Sequence, residues 1–179
     1  MKPHIFITLL ISIITTGCAF GPTPKNAKEY RAAILEGGFG TNYESYVVKQ
    51  PYWKVVKTVK AKSKPCLDKK IETTTCGGAY GGSCNIKTFD YNPRFIKGKK
   101  KSELHVQVIM TSSLSIGSIG DEPPKDGLYV AVIDFIKQGK NKTKINVHSP
   151  SMGFTAVPKA VKHWANQTNL GCPDFSDGL

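Results

Sequence analysis

The chain has 179 residues, 25 of them basic and 13 acidic, which gives a formal charge of +12 at pH 7. The basic residues are 23 lysines and only two arginines. Arginine is the residue of bidentate phosphate and base recognition, whereas lysine is a hydrated point charge. The balance therefore argues against nucleic-acid binding and favours an anionic surface, an acidic polymer or an acidic partner, with a merely self-repelling soluble surface as the alternative.

Residues 1–17 have the organisation of a secretory signal peptide. Lys2 supplies the positive start, and an apolar run of ten residues extends from Ile5 to Ile14. A stable membrane span needs about 20 residues, so this run is too short for one and suits the apolar region of a signal peptide. Small residues then lead to a cysteine at position 18.

The segment Thr15-Thr16-Gly17-Cys18 resembles the lipobox of bacterial lipoproteins, although Thr15 replaces the usual aliphatic residue. The resemblance implies that Cys18 is lipidated, becomes the first mature residue and anchors the protein to a membrane. Ala19 follows instead of Asp. In enteric-type bacteria that pattern implies the periplasmic face of the outer membrane. An ordinary secretory signal with an incidental cysteine is the alternative.

Residues 18–41 are predicted to form a lipidated tether that includes a short helix. Asn26 and Glu29 have the spacing of a capping box, and glycines at positions 37 and 38 end the helix. This helix either docks on the following domain or belongs to a partly ordered arm.

Residues 42–179 are predicted to form a single domain that begins with a strand over 42–49 and a helix starting after Pro51. Apolar residues recur there at i, i+3, i+4 and i+7, which indicates one buried helix face. That face consists of Tyr52, Val55, Val56 and Val59. Five lysines occupy much of the remaining surface: Lys54, Lys57, Lys60, Lys62 and Lys64. Pro65 is expected to end the helix.

Five strands and a closing helix are predicted for the rest of the domain. The strands cover residues 70–76, 85–95, 102–111, 127–137 and 143–148. Tight polar turns between them indicate an antiparallel meander. The helix covers 157–168, and its apolar stripe is Val157, Ala160, Val161 and Trp164.

This order predicts an α+β fold, an antiparallel sheet of five to six strands with two helices packed on one face. It resembles the helix-grip folds and the small domains of the lipoprotein of the outer-membrane β-barrel assembly machine, over roughly residues 42–172. The resemblance implies a binding or interaction module.

The strand over 127–137 is apolar on both faces, which is typical of a strand covered on both sides. Tyr129, Ile133 and Phe135, together with Trp164 of the closing helix, are the predicted ligand or partner face. A central strand with some exposed aromatic side chains is the alternative.

Four cysteines remain after Cys18, and an exported protein is expected to pair them. Cys76 and Cys84 bracket a glycine-rich segment that bends easily, which leaves Cys66 to pair with Cys172. A zinc cluster is the alternative, but the sequence has no CxxC pair to support it.

No catalytic constellation, metal site or cofactor motif is predicted. His105, His148 and His163 fall on outward positions of their elements and are expected to be solvated. Asp134 is the only carboxylate on an apolar strand face. A paired structural polar group is expected there, with an error in the assigned strand register as the alternative.

Three functions follow. The first is a non-enzymatic envelope lipoprotein whose free sheet face or basic helix face meets a protein partner or an anionic surface. The second is a protein that binds an apolar small ligand in a cavity lined by Val56, Val132 and Trp164. The third is an envelope hydrolase, which requires at least two of Asp134, His105, His148 and Cys66 to converge in one cleft.

Overall fold

The computed structural model describes residues 23–37, 40–77, 84–112 and 125–175. The predicted signal peptide and the predicted lipidation site Cys18 lie outside them. The helices in these ranges are α1 (Ala27–Glu36), α2 (Tyr52–Leu67) and α3 (Ala156–Asn166). The strands are β1 (Thr41–Val48), β2 (Lys70–Cys76), β3 (Cys84–Ile96), β4 (Lys101–Ser112), β5 (Leu128–Lys137) and β6 (Thr143–Pro150). The predicted α+β class is confirmed, with α1 as a third helix.

The six strands form one sheet in the order β1-β6-β5-β4-β3-β2. Every neighbouring pair is antiparallel. Consecutive strands therefore pair all the way from β2 to β6, which confirms the predicted meander. β1 pairs with β6, so the first and last strands of the chain lie side by side at one edge of the sheet.

Helices α2 and α3 pack together on one face of the sheet, as predicted. Ala131, Ile133 and Phe135 of β5 belong to the same buried cluster as the apolar stripes of both helices. Trp164 of α3 is fully buried there, and its indole N–H donates to the carbonyl of Gly171 at 2.8 Å. This face therefore holds the main hydrophobic core.

Helix α1 packs on the opposite face. Tyr30 and Ile34 form a second buried cluster with Val132, which points away from the main core because side chains alternate along a strand. The two predicted capping residues are in place, although Glu29 bonds the backbone one residue before the N-cap and not the N–H of Asn26 that a standard capping box uses. The Asn26 side chain accepts from the N–H of Glu29 at 3.0 Å, and the Glu29 carboxylate accepts from the N–H of Lys25 at 2.8 Å. The helix within the predicted tether is thus docked on the sheet.

Helix α2 continues past Pro65, so the prediction that it ends there was wrong. Proline costs a helix the bond that its missing N–H would have donated. The turn continues because Cys66 and Leu67 are buried in the main core and the N–H of Asp68 donates to Lys64 at 3.0 Å. Packing of the final turn therefore outweighs one lost hydrogen bond.

Both predicted disulfides are present, Cys76–Cys84 across the β2–β3 hairpin and Cys66–Cys172 between the end of α2 and the C-terminal segment. The second bond joins residues 106 positions apart. It fixes the segment after α3 to the far end of α2.

Candidate functional site

An open groove lies at the end of the sheet where α2 begins and where the β3–β4 and β5–β6 turns meet. Its volume is about 1010 Å³. Six lysines line it: Lys57 and Lys60 from α2, Lys97 and Lys99 from the first turn, and Lys137 and Lys140 from the end of β5 and the second turn. We call this site the lysine groove.

Hydrogen bonds hold the start of α2 against both turns. The hydroxyl of Tyr52 donates to the carbonyl of Gly98 at 2.7 Å and lies 2.7 Å from the buried hydroxyl of Ser102. On the other side, the hydroxyl of Thr143 donates to the carbonyl of Gln50 at 2.9 Å. The groove walls are therefore fixed to one another by contacts between segments far apart in the sequence.

Position 98 requires a glycine because the backbone of the β3–β4 turn folds back closely on itself there. A Cβ atom at this position would lie 2.0 Å from the carbonyl oxygen of Lys101, which no side chain could occupy. The N–H of Gly98 donates to Ser102 Oγ at 3.1 Å. This tight turn holds Lys97 and Lys99 at the rim of the groove.

The groove carries positive charge without compensation from its own walls. No Asp or Glu is among the residues that line it, and none of its six lysines forms an ion pair within the described ranges. Like charges concentrated in one concave site raise the local potential and attract anions. The arrangement can therefore bind an anionic group, and the attraction should weaken as salt is added.

The lining of the groove also includes apolar residues and one exposed indole. Tyr52, Val56 and Ala61 line it, and Trp53 stands at its side with 65% of its surface exposed. Trp53 is the most exposed of the large apolar side chains described, and it adjoins other apolar residues of the same groove. The groove thus combines a flat apolar surface with a ring of cations.

A second polar cluster lies between α1 and the sheet. Arg31 forms ion pairs with Glu103 and, at 2.7 Å, with Asp134. Lys101 contacts the same two carboxylates at 3.0 and 3.2 Å. His105 Nε2 lies 2.7 Å from Glu103. Asp134 is therefore the paired structural carboxylate that was predicted.

The prediction that His105 and His148 are solvated was wrong, because α1 covers the sheet face on which both lie. Burial lowers the pKa of His148, whose Nδ1 is 3.2 Å from the carbonyl of Val132. Burial alone would raise the pKa of Glu103, but hydrogen bonds from His105, Arg31 and Lys101 together lower it to about 2. His163 is exposed, as predicted.

Asp134 and His105 belong to the same buried cluster, but they are linked only through Glu103 and its basic partners, and no cleft opens onto them in the described residues. Cys66 is not available to it, since its sulfur is in a disulfide. Among the described residues, neither His105 nor Asp134 bonds a hydroxyl or thiol that could act as a nucleophile. The observed contacts are ion pairs that attach α1 to the sheet.

The predicted ligand or partner face is not a surface. Ile133 and Phe135 of β5 and Trp164 of α3 are fully buried in the main core between the sheet and the two helices. Tyr129 lies on the other face, where its ring is 5.5 Å from that of Tyr30. A β-bulge between Val106 and Gln107 explains the change of face, because it shifts the β4–β5 register.

The prediction that Val56, Val132 and Trp164 line one ligand cavity was also wrong. Val132 points towards α1, whereas Val56 and Trp164 belong to the main core on the opposite face. The sheet therefore separates Val132 from Val56 and Trp164. The largest buried side chains of the main core fill the space under α2 and α3: Trp164, Tyr91, Phe135, Leu67, Leu104 and Ile145.

The lysine groove itself was not predicted, although two of its parts are visible in the sequence. Trp53, Lys57 and Lys60 follow one another at i, i+4 and i+7, so they share a helix face. Two short turns rich in lysine and glycine supply the rest. The missing information was that the sheet brings both turns to the start of α2.

No helix in the described part of the chain has the length and apolar character to cross a membrane. The same residues contain no group of three or more His, Cys, Asp or Glu side chains placed to hold a metal ion.

No protein-family model matches the sequence, and no curated protein matches it significantly. Among solved structures, the chain is similar to DynU16, described as a protein of the dynemicin biosynthetic locus. The match covers 72% of this chain and 44% of that one, at 12% identity and a TM-score of 0.29. The chain thus spans less than half of that structure, and a TM-score this low supports no conclusion about function.

Proposed function

We propose that this protein is a non-enzymatic, lipid-anchored module of the bacterial cell envelope that binds an anionic partner in the lysine groove. The observation that carries the proposal is the convergence of six lysines, from three separate segments, on one groove whose described lining has no carboxylate. A random solvated surface would be expected to intersperse both signs of charge.

Charge reversal in the groove tests the binding. We expect Lys57→Glu/Lys60→Glu to weaken binding of inorganic polyphosphate by about tenfold or more, because two attractive charges become repulsive. The matched control is Lys28→Glu/Lys159→Glu, which makes the same change of net charge at exposed positions in the first turns of α1 and α3. There the loss should stay below about twofold.

Calorimetric titration of the full-length protein in mild detergent, at low and moderate salt, measures both variants. If the control weakens binding as much as the groove variant does, the attraction comes from net charge and the groove is not the site.

The anchor at Cys18 and the location at the periplasmic face of the outer membrane belong to the same proposal. They are supported by the signal peptide, the lipobox resemblance and Ala19. We expect Cys18→Ser to give unlipidated protein that leaves the membrane fraction. Retention of this variant in washed membranes would contradict the anchor without affecting the groove.

A second candidate function is binding of an apolar small ligand, and a different site favours it. Phe89, Met110 and Phe154 line a cleft of about 320 Å³ near the end of β4. We expect Met110→Glu to abolish uptake of a fluorescent apolar probe there. Equal uptake by this variant and the native protein would exclude the cleft.

A further inference from the structure

The two tryptophans of this chain lie in opposite environments. Trp164 has no exposed surface, whereas Trp53 is 65% exposed at the side of the lysine groove. Lys57 follows Trp53 one helical turn later, on the same face of α2. The indole therefore offers a flat apolar surface directly beside the cations.

The shape of the groove restricts what could use this surface. At about 1010 Å³ it is far larger than a single phosphate group requires. It is also partly open to solvent, so it would leave part of an acyl chain in water, at the usual cost of exposed apolar area. A suitable ligand has one apolar face to cover, polar edges that stay hydrated, and anionic groups.

A phosphorylated sugar has these properties. One face of a pyranose ring presents C–H groups that stack on an indole, and its hydroxyls remain in water. The charged residues are all lysines, which act as flexible point charges and suit phosphates at variable spacing. A phosphate monoester carries more negative charge than a carboxylate, so point charges attract it more strongly. No arginine lines the groove to add bidentate contacts to either group.

We infer that the lysine groove binds a phosphorylated saccharide, with Trp53 against the sugar ring and the lysines against its phosphates. This inference rests on the proposed function, since it assigns a ligand class to the same site. The phosphorylated sugar could belong to a glycolipid headgroup or to a free or polymeric glycan, and the recognition chemistry is the same for both.

The experiment compares phosphorylated dextran, unmodified dextran and inorganic polyphosphate of equal phosphate content, titrated by calorimetry into the full-length protein in detergent. We expect phosphorylated dextran to bind about fivefold more tightly than polyphosphate, and unmodified dextran to bind weakly. Trp53→Ala should remove that advantage and leave polyphosphate binding unchanged. Trp53→Phe, which keeps an aromatic ring, should retain part of it.

The outcomes separate this inference from the proposed function. Equal affinity for phosphorylated dextran and polyphosphate, both weakened by Lys57→Glu/Lys60→Glu, would overturn the saccharide while anion binding stands. Binding of neither would overturn both. The last arm uses vesicles containing phosphatidylglycerol, which has phosphate but no sugar ring, and counts only binding in excess of that to neutral phosphatidylcholine vesicles, because a lipid anchor at Cys18 would enter both. Tighter binding to these vesicles than to phosphorylated dextran, unaffected by Trp53→Ala, would overturn the saccharide in favour of a lipid surface.

Discussion

The face of the sheet under α2 and α3 and the face under α1 differ in what closes them. The first is closed by a continuous hydrocarbon core and by the Cys66–Cys172 disulfide. The second is closed by one ten-residue helix, through a small apolar cluster and the ion pairs of Arg31. Apolar burial makes the larger contribution to stability, whereas ion pairs are sensitive to geometry and pH. The packing on the two faces should therefore be lost under different conditions.

The largest expected effect is the loss of stability when the disulfide that closes the first face is removed. Cys66→Ser/Cys172→Ser removes the bond that closes a span of 106 residues, and we expect the free energy of unfolding to fall by about 3 kcal/mol. Denaturant unfolding measures the change. The control is Cys76→Ser/Cys84→Ser, whose closed segment is much shorter and whose effect should be smaller. An equal loss in both variants would show that the long bridge has no special role.

An intermediate effect is expected when an ion pair that closes the second face is removed. Arg31→Ala leaves Asp134, which is almost fully buried, with Lys101 as its remaining described partner, and should weaken the docking of α1 by about 2 kcal/mol. Hydrogen exchange should accelerate in α1 while the strands keep their protection. Lys28→Ala, at an exposed position of the same helix, is the control. Loss of protection across the whole sheet would mean that the two faces unfold as one unit.

The smallest expected effect is a fall in stability on acidification, and it also arises on the second face. Because burial lowers the pKa of His148 below its usual 6.5, the unfolded chain takes up this proton first, so stability declines as pH falls below about 6.5. Glu103 adds to the decline between its usual pKa of 4.5 and about 2.

Thermal unfolding from pH 7.5 to 5 measures the contribution of His148. His148→Gln, which cannot titrate, should flatten the pH dependence in that range. A slope unchanged in this variant would assign the proton uptake to another group.

The difference between the two faces of the sheet also explains which parts of the fold could be predicted from the sequence. The first face follows from local periodicity, since Tyr52, Val55, Val56 and Val59 specify one helix stripe and alternation specifies the strands. The cysteine pairing followed from their even number and the glycines between Cys76 and Cys84.

The second face could not be predicted in the same way. Arg31 reaches Asp134 across 103 positions of sequence, and no local pattern marks that contact. Because that contact could not be foreseen, α1 could not be placed on the sheet, and His105 and His148 were predicted to face solvent. The bulge next to Val106 likewise has no local signal and reversed the face assigned to Tyr129.

The lysine groove has one part that is visible in the local sequence and another that depends on long-range contacts. Its helical part, Trp53, Lys57 and Lys60, is local and visible in the sequence. Its other wall depends on bonds such as the one between Tyr52 and Gly98, separated by 46 positions. The composition therefore predicted an anionic partner, while the groove that we propose for it could be located only from the fold.

Hydrogen-exchange mass spectrometry of the full-length protein, with and without phosphorylated dextran, tests the central claim most directly. We predict slower exchange in the β3–β4 turn around Gly98, in the β5–β6 turn around Lys140 and at the start of α2. That protection should be lost in Lys57→Glu/Lys60→Glu. Protection confined to α1 and the sheet face beneath it, or protection that this variant retains in full, would contradict the account.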